Sequence, residues 1–307
     1  MNKKSIIYIA GHNGLVGSAI HRLFQKKGYQ NILTRTRKQL DLTNQQAVAK
    51  FFQKNKPEYI FLAAARVGGI KDNNDYPADF IYQNLVIQNN IIQAAYLNKA
   101  KKLLFLGSSC AYPRECPQPI KEEYLLSGSL EETNKPYAIA KIAGIITCQS
   151  FNRQYKTKYI SVMPTNLYGP NDNFDLQSSH ALPALIRKIH DAKVGHKRKV
   201  ILWGTGEPKR EFLFVDDLAS ACFFLMQKYS SSGLINIGTG KDLTINELAE
   251  MIKKVVGFKG KIVYDKEKPD GTPQKLLDVS RLHKLGWKHK VELETGIRKT
   301  YDWFQQQ

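Results

Sequence analysis

The 307-residue chain has few cysteines and few acidic residues: four Cys, and 27 Asp plus Glu against 46 Lys plus Arg. Cys110, Cys116, Cys148 and Cys222 contain no CxxC pair, so neither a disulfide framework nor a zinc-ligand spacing is signalled and no metal site is expected. Long apolar runs are missing too. Residues 6–10 and 103–106 fall far short of the roughly 20 residues a bilayer span needs, which excludes a membrane crossing. Lys3 and Lys4 imitate the basic start of a secretory signal, but the apolar run behind them ends at Gly11. That is below the roughly 7–15 residues of such a segment, and the expectation is a cytoplasmic protein.

The shortage of acid leaves a formal charge of +19, a field that attracts nucleic acid, anionic lipid or a phosphorylated small molecule. The cations are spread along the chain, with Lys99, Lys101 and Lys102 in one place, residues 196–199 in another and Lys253 with Lys254 in a third. This favours a solvated lysine-rich surface over a nucleic-acid partner. The length suits about two domains on a prior of roughly 150 residues each.

Short apolar runs alternate with segments of helical periodicity. Strands are expected at residues 6–10, 31–34, 59–63 and 102–106, and helices around 18–24, 45–55, 78–98 and 137–155. Strictly alternating strands and helices predict an α/β fold, a Rossmann-type doubly wound parallel sheet. The second half is more mixed, with helices near 182–193, 216–227 and 244–255 and strands near 200–202, 234–237 and 261–264. It reads as a smaller, interleaved C-terminal α/β substrate domain. The expected division is 1–165 with about 212–239 for a nucleotide-binding domain, and 166–211 with 240–307 for the second. Residues 164–170, 204–208 and 268–273, rich in Gly and Pro, read as loops.

Gly11-His12-Asn13-Gly14-Leu15-Val16-Gly17 stands between the first strand and the first helix. Glycines there permit a tight turn and close approach of backbone N–H groups to a pyrophosphate at a helix N-terminus. After the second strand the chain reads Thr34-Arg35-Thr36-Arg37, without the carboxylate that would hold an NAD ribose. Arginine suits a 2′-phosphate, so NADP(H) is the expected cofactor, with the choice between Arg35 and Arg37 open. Tyr137 and Lys141 lie four apart on one helical face. An ammonium beside a phenol is expected to bring its pKa down toward neutrality, which suits proton transfer at a carbonyl oxygen. Ser108, just past the fourth strand, offers a hydroxyl at the carboxyl edge of the sheet, where open α/β folds bind ligands.

This order of GxxGxxG, serine and YxxxK resembles the extended short-chain dehydrogenase/reductase family. Further stretches resemble the branch of that family acting on GDP-4-keto-6-deoxy-D-mannose: residues 63–70, 76–84, 107–110, 136–144, 163–170 and 268–273. The resemblance runs from residue 5 to about 304. It implies Ser108, Tyr137 and Lys141 for reduction at C4, and Cys110 with His180 as the acid/base pair for epimerisation at C3 and C5. It also implies a cofactor lined by residues 11–17, Arg35, Thr36, Arg37, Asp41, Leu42, Leu106, Gly107, Ser108, Ser109, Lys141, Pro164, Thr165, Asn166, Leu167 and His180. Lys188, Trp203, Arg210 and Asp270 are implied for the nucleotide sugar, with Arg187 an alternative to Lys188. A homodimer is implied, built on the helices near 78–98 and 137–155. One departure is Asn13, where many relatives carry arginine, and a weaker 2′-phosphate grip is the expectation there.

The rivals are weaker on residue grounds. A nucleotide-sugar 4-epimerase would not need Cys110 and His180, and a sugar dehydratase normally shows Thr-Asp-Glu where this chain has Ser108-Ser109-Cys110. A non-catalytic NADP-sensing or nucleic-acid-binding protein would tolerate loss of Tyr137 and Lys141, and both are present.

Overall fold

Ile7, Tyr8, Ile9 and Ala10 are all buried, as a strand covered on both faces requires. The computed structural model describes residues 1–268 and 270–307, with Ile70 described by its backbone alone. Pro269 of the 268–273 motif and the Ile70 side chain therefore lie outside the described residues.

The first part runs β1 (Ile7–Ala10), α1 (Leu15–Lys26), β2 (Ile32–Leu33), α2 (Gln45–Asn55), β3 (Tyr59–Leu62), α3 (Ile70–Asp75), α4 (Pro77–Leu97), β4 (Lys102–Leu106), α5 (Lys135–Tyr155) and β5 (Tyr159–Pro164). It continues with β6 (Asn166–Tyr168), α6 (Ala181–Val194), β7 (Lys199–Trp203), β8 (Lys209–Phe214), α7 (Val215–Lys228) and β9 (Ile235–Ile237). The chain closes with β10 (Asp242–Thr244), α8 (Ile245–Val256), β11 (Lys261–Asp265), β12 (Gln274–Lys275), α9 (Ser280–Lys284) and α10 (Leu293–Phe304).

Six strands in the order β2-β1-β3-β4-β5-β9 form one sheet, and every pairing in it is parallel. The fold is thus the expected doubly wound α/β sheet, with its strand order reversing between β1 and β3, where such folds open a ligand crevice. α1 and α7 cover one face through Ile20, Phe24, Leu218 and Leu225. α2, α4 and α5 cover the other through Phe52, Ile91, Ala95 and Ile145. A third apolar cluster, with Ile186, Ile189, Leu248, Ile252 and Ile297, joins α6, α8 and α10 to β7 and β8. In this smaller layer β8 pairs antiparallel with β10 and parallel with β6 and β12, while β7 pairs with β11. β8 runs into α7 without a linker, so one continuous segment passes from the smaller layer onto the main sheet. No helix among the described residues is long and apolar enough to cross a membrane.

Residues 164–170 do not form the expected loop throughout: Pro164 ends β5, and Asn166–Tyr168 is a strand because Asn166, Leu167 and Tyr168 align with Phe212, Leu213 and Phe214 of β8. β5 itself lies between β4 and β9 in the main sheet and gave no separate signal in the sequence reading. Residues 204–208 and the described part of 268–273 lie outside helices and strands, as expected.

The placement of α5 depends on Gly144. A Cβ there would run into the Phe105 ring of β4 and lie 2.9 Å from Gln88 Oε1 of α4. Gly144→Ala should lower stability by roughly 1–3 kcal/mol, the usual result of overpacking. A urea midpoint equal to that of the unsubstituted protein would contradict the close approach.

Candidate active site

The glycine loop has the shape of an anion cradle. Gly11 turns at φ +86°, and a Cβ on it would sit 2.7 Å from Ala64 N. Gly17 lies so close to Gly11 that a side chain would strike its carbonyl. α1 starts behind Gly14 with no side-chain cap and no acidic residue in its first turn, which includes Leu15 and Val16. Its first N–H groups are left to an outside acceptor. His12 Nδ1 is buried without a partner, and burial with neighbouring His21 holds the imidazole pKa below its ordinary value. Asn13 is exposed at the mouth of the loop. A dinucleotide diphosphate fits these residues.

Past β2, Arg35 donates to Thr34 O at 2.7 Å and lies 5.5 Å from the Phe51 ring centre. Arg37 is exposed and makes no hydrogen bond or ion pair among the described residues. Thr36 N donates to Gln39 Oε1, and Asp41 accepts from Thr43 N and Oγ1, bonds that hold its carboxyl below the usual range. Leu42 packs against the core beneath α4, its carbonyl accepting from Asn90.

At the carboxyl edge of β4, Leu106 O accepts from Lys141 Nζ at 2.8 Å, and Gly107 N donates to Val162 O. Lys141 is 5% exposed, and burial lowers its pKa from 10.5 to about 8. The ammonium sits 5.6 Å from the Tyr137 ring centre, so the i,i+4 spacing does bring the pair together. The expected lowering of the phenol is not found. Burial, and next Cys110, push the Tyr137 pKa upward, while a hydrogen bond with Ser108 pulls only weakly the other way. Dehydration of the phenolate outweighs the ammonium, and Tyr137 stays protonated at neutral pH. Ser109 is buried behind Ser108, whose Oγ accepts from Cys110 N at 3.3 Å.

Cys110 follows in a single 3₁₀ turn, and Lys275 of β12 places its Nζ 3.9 Å from the Cys110 sulfur. His180 is the residue preceding α6, and its ring does not cap the helix. The ring opens to solvent while being hemmed in by protein, and this enclosure together with Lys275 lowers its pKa. Lys275 also aligns with Arg210 across β12 and β8, and Arg210 lies within electrostatic reach of Cys110. Lys275 thus brings Cys110, His180 and Arg210 into one neighbourhood.

The other sugar-nucleotide candidates lie on the smaller layer. Trp203 is 66% exposed, with Lys188 Nζ 5.6 Å from its ring centre. Arg187, the alternative, donates its Nε to both carboxylate oxygens of Asp191, and it is Lys188 that faces Trp203. Asp270 accepts from Thr205 N and Oγ1, which anchors it beside Gly204 and Trp203. Thr165 N pairs with Ile237 O, while Thr165 Oγ1 and Asn166 Nδ2 both reach Glu211 O.

Two residues here escaped the sequence reading. Lys275 looked like one more surface lysine. Glu211, the last of the charged residues 209–211, is fully buried, and its carboxylate accepts backbone N–H groups from Thr239, Gly240 and Leu277. The only available signal was that Glu211 directly abuts the apolar run Phe212-Leu213-Phe214.

A parallel sheet with a glycine cradle at its first crossover and Ser108, Tyr137 and Lys141 at its carboxyl edge defines a nucleotide-dependent oxidoreductase of the Rossmann class. The chain belongs to the NAD dependent epimerase/dehydratase family, whose profile matches residues 7–238. It is 58% identical over 303 residues to GDP-L-fucose synthase 1 of Arabidopsis thaliana, covering 99% of this chain and 94% of that one. It is 54% identical over 310 residues to the GDP-L-fucose synthase of Escherichia coli (strain K12), with 98% and 97% covered. Among solved structures, a GDP-mannoheptose C4 reductase from Campylobacter jejuni with NADP bound superposes with a TM-score of 0.92 at 45% identity, covering 99% of both chains.

The low pKa of Lys141 makes stability depend on pH. The unfolded lysine keeps its proton to about 10.5 and the folded one to about 8, so between these values the unfolded state binds more protons and stability rises with pH. In cofactor-free protein, the stability difference between wild type and Lys141→Met should move in favour of wild type by up to roughly 3 kcal/mol across this window. A difference that stays flat in denaturant titrations would contradict the burial of a charged lysine.

Proposed function

We propose that this protein converts GDP-4-keto-6-deoxy-D-mannose to GDP-L-fucose, inverting C3 and C5 and then reducing C4 with NADPH. The observation that carries the reading is the meeting of two chemical sets: Cys110 and His180 beside Lys275, and Tyr137, Ser108 and Lys141 next to them on the same sheet edge. A simple 4-epimerase has no use for the first set.

The ketone at C4 makes both C3–H and C5–H acidic. Thiol and imidazole are the side chains here whose ordinary pKa values lie nearest neutrality, so one removes a proton and the other returns it on the opposite face. Ser108 and Tyr137 donate to the C4 oxygen and stabilise the charge that develops there, first as enolate and then as alkoxide. Because burial keeps Tyr137 protonated, it has the proton that the alkoxide requires, and Lys141 then stabilises the phenolate left behind. When bound, NADPH supplies the hydride for C4. Residues 11–17 hold its diphosphate, Arg37 with Thr36 its 2′-phosphate, Asp41, Leu42 and residues 106–109 its adenosine side and bridge, and Lys141, residues 164–167 and His180 its nicotinamide end. Lys188 and Arg210 neutralise the GDP diphosphate, Trp203 offers its exposed face to the base or sugar, and Asp270 accepts hydroxyl or guanine donors.

In this reading residues 1–165 with 212–239 bind the cofactor, and 166–211 with 240–307 bind the sugar nucleotide. The active form is a cytoplasmic homodimer. α4 and α5 leave Tyr82, Leu97, Ile139 and Ile146 at least 40% exposed, an apolar face suited to a second copy's same two helices.

The test is NADPH consumption with GDP-4-keto-6-deoxy-D-mannose beside NADH, with the product identified by NMR. GDP-L-fucose formed with NADPH preferred is the expected result. Turnover only with a keto derivative of a GDP-heptose would transfer the substrate to the class named for the C. jejuni relative. Tyr137→Phe should lower reduction by at least about a hundredfold while retaining solvent exchange at C3 and C5, and Cys110→Ala should do the opposite. Equal loss of both steps in each variant would contradict the division of roles.

A further inference from the structure

We propose that Lys275 is the positioning residue of the epimerisation half-reaction, its ammonium holding the Cys110 thiol in the ionised form that abstracts a proton. The inference rests on the function proposed above and adds a residue that neither the motifs nor the resemblance supplied.

The placement of Lys275 is enforced from both sides. β12 has two residues, aligned with Lys209 and Arg210 of β8. Directly after it, Leu276 N donates to Gln118 Oε1 and Leu277 N to the buried Glu211 carboxylate, while Ile120 N donates to Leu276 O. Among the described residues the half-buried side chain has no carboxylate partner and one side-chain hydrogen-bond contact, the Cys110 sulfur at 3.9 Å, while its charge also reaches His180 and Cys116. The charged and titratable groups facing that sulfur are Lys275 from β12, Arg210 from β8 and Tyr137 from α5, with the Ser108 hydroxyl at the adjoining turn. Two of these are cations and one is a neutral phenol, and none of these described groups is an acid. Such surroundings stabilise a thiolate. The same ammonium works against the protonated form of His180. It thereby makes the imidazolium a stronger acid, so one cation sharpens both members of the pair.

The proton balance is complete. The thiolate sulfur takes the proton from C3 or C5, forming S–H as C–H breaks, and the electron pair moves into the enolate on the C4 oxygen. An N–H of protonated His180 then gives its proton to the opposite face of the same carbon. The pair is left as thiol and neutral imidazole, and proton exchange with water restores it. Lys275 is not consumed.

Lys275→Met and Lys275→Arg test this with three readouts. The first is the pH dependence of iodoacetamide alkylation at Cys110 in the free protein, read by peptide mass so that Cys116 is resolved. The second is deuterium exchange at C3 and C5 of the keto sugar. The third is reverse oxidation of GDP-L-fucose by NADP⁺, which moves no proton at C3 or C5. For Lys275→Met the alkylation midpoint should rise by about one pH unit or more, as expected on losing a cation within about 4–6 Å. Exchange at neutral pH should fall about tenfold or more and recover toward alkaline pH, while reverse oxidation falls by less than about threefold, and Lys275→Arg should restore exchange. An alkylation profile superposable on wild type overturns the proposal, including the case in which exchange and oxidation fall together because the site is merely distorted. Wild-type protein that neither exchanges the keto sugar nor oxidises GDP-L-fucose would overturn the function, and the alkylation profile would still decide the role of Lys275.

Discussion

The buried carboxylate of Glu211 joins the main sheet to the smaller layer, and the geometry of the site depends on it. One oxygen accepts from Thr239 N at 2.6 Å and Gly240 N at 2.7 Å, just past β9, and the other from Leu277 N at 3.0 Å, just past β12. Its own carbonyl holds Thr165 and Asn166 beyond β5. Burial raises the pKa of this carboxyl, and the three backbone donors oppose that rise. A buried charge that is fully hydrogen-bonded costs much to uncouple, since removing it strands several donors at once. Through these bonds one residue, by its carboxylate and its carbonyl, ties residues 165–166, the turn after β9 and the strand carrying Lys275 to β8.

The site divides its work by environment. Tyr137 and Lys141 are drawn into the protein, where dehydration favours the neutral phenol and pulls the lysine down to about 8. Cys110 lies 3.9 Å from the Lys275 ammonium, and enclosure by protein together with Lys275 lowers the His180 pKa. Burial thus keeps the phenol protonated while the Lys141 and His180 pKa values are lowered within the same crevice. This is the arrangement needed when a single ketone first has the protons on either side of it exchanged and is then itself reduced and protonated.

Much of this was legible in the sequence, because glycine turns and helical spacing are local. The 102–106 strand and the 45–55 helix stand where apolar periodicity put them, the glycine motif lies between β1 and α1, and Ser108, Tyr137 and Lys141 meet at the carboxyl end of β4. What escaped depends on distant pairing. Residues 166–168 become a strand only because β8 lies alongside, and β8 opens with Lys209, Arg210 and Glu211, which read as solvated charge until Glu211 is seen to be enclosed. Lys275 is one lysine among many until its strand is aligned with Arg210. The pKa of Tyr137 was misjudged for a related reason: the sequence shows the nearby ammonium but not the protein that removes water from the phenol.

The most direct test of the account is the isotopic fate of one product. The keto sugar is converted in D₂O with NADPH carrying protium at the transferred position, and in H₂O with NADPH deuterated there, with each carbon read by NMR. The account predicts GDP-L-fucose bearing solvent deuterium at C3 and C5 in the first experiment and cofactor deuterium at C4 alone in the second. A product reduced at C4 but carrying no solvent deuterium at C3 and C5 would contradict it.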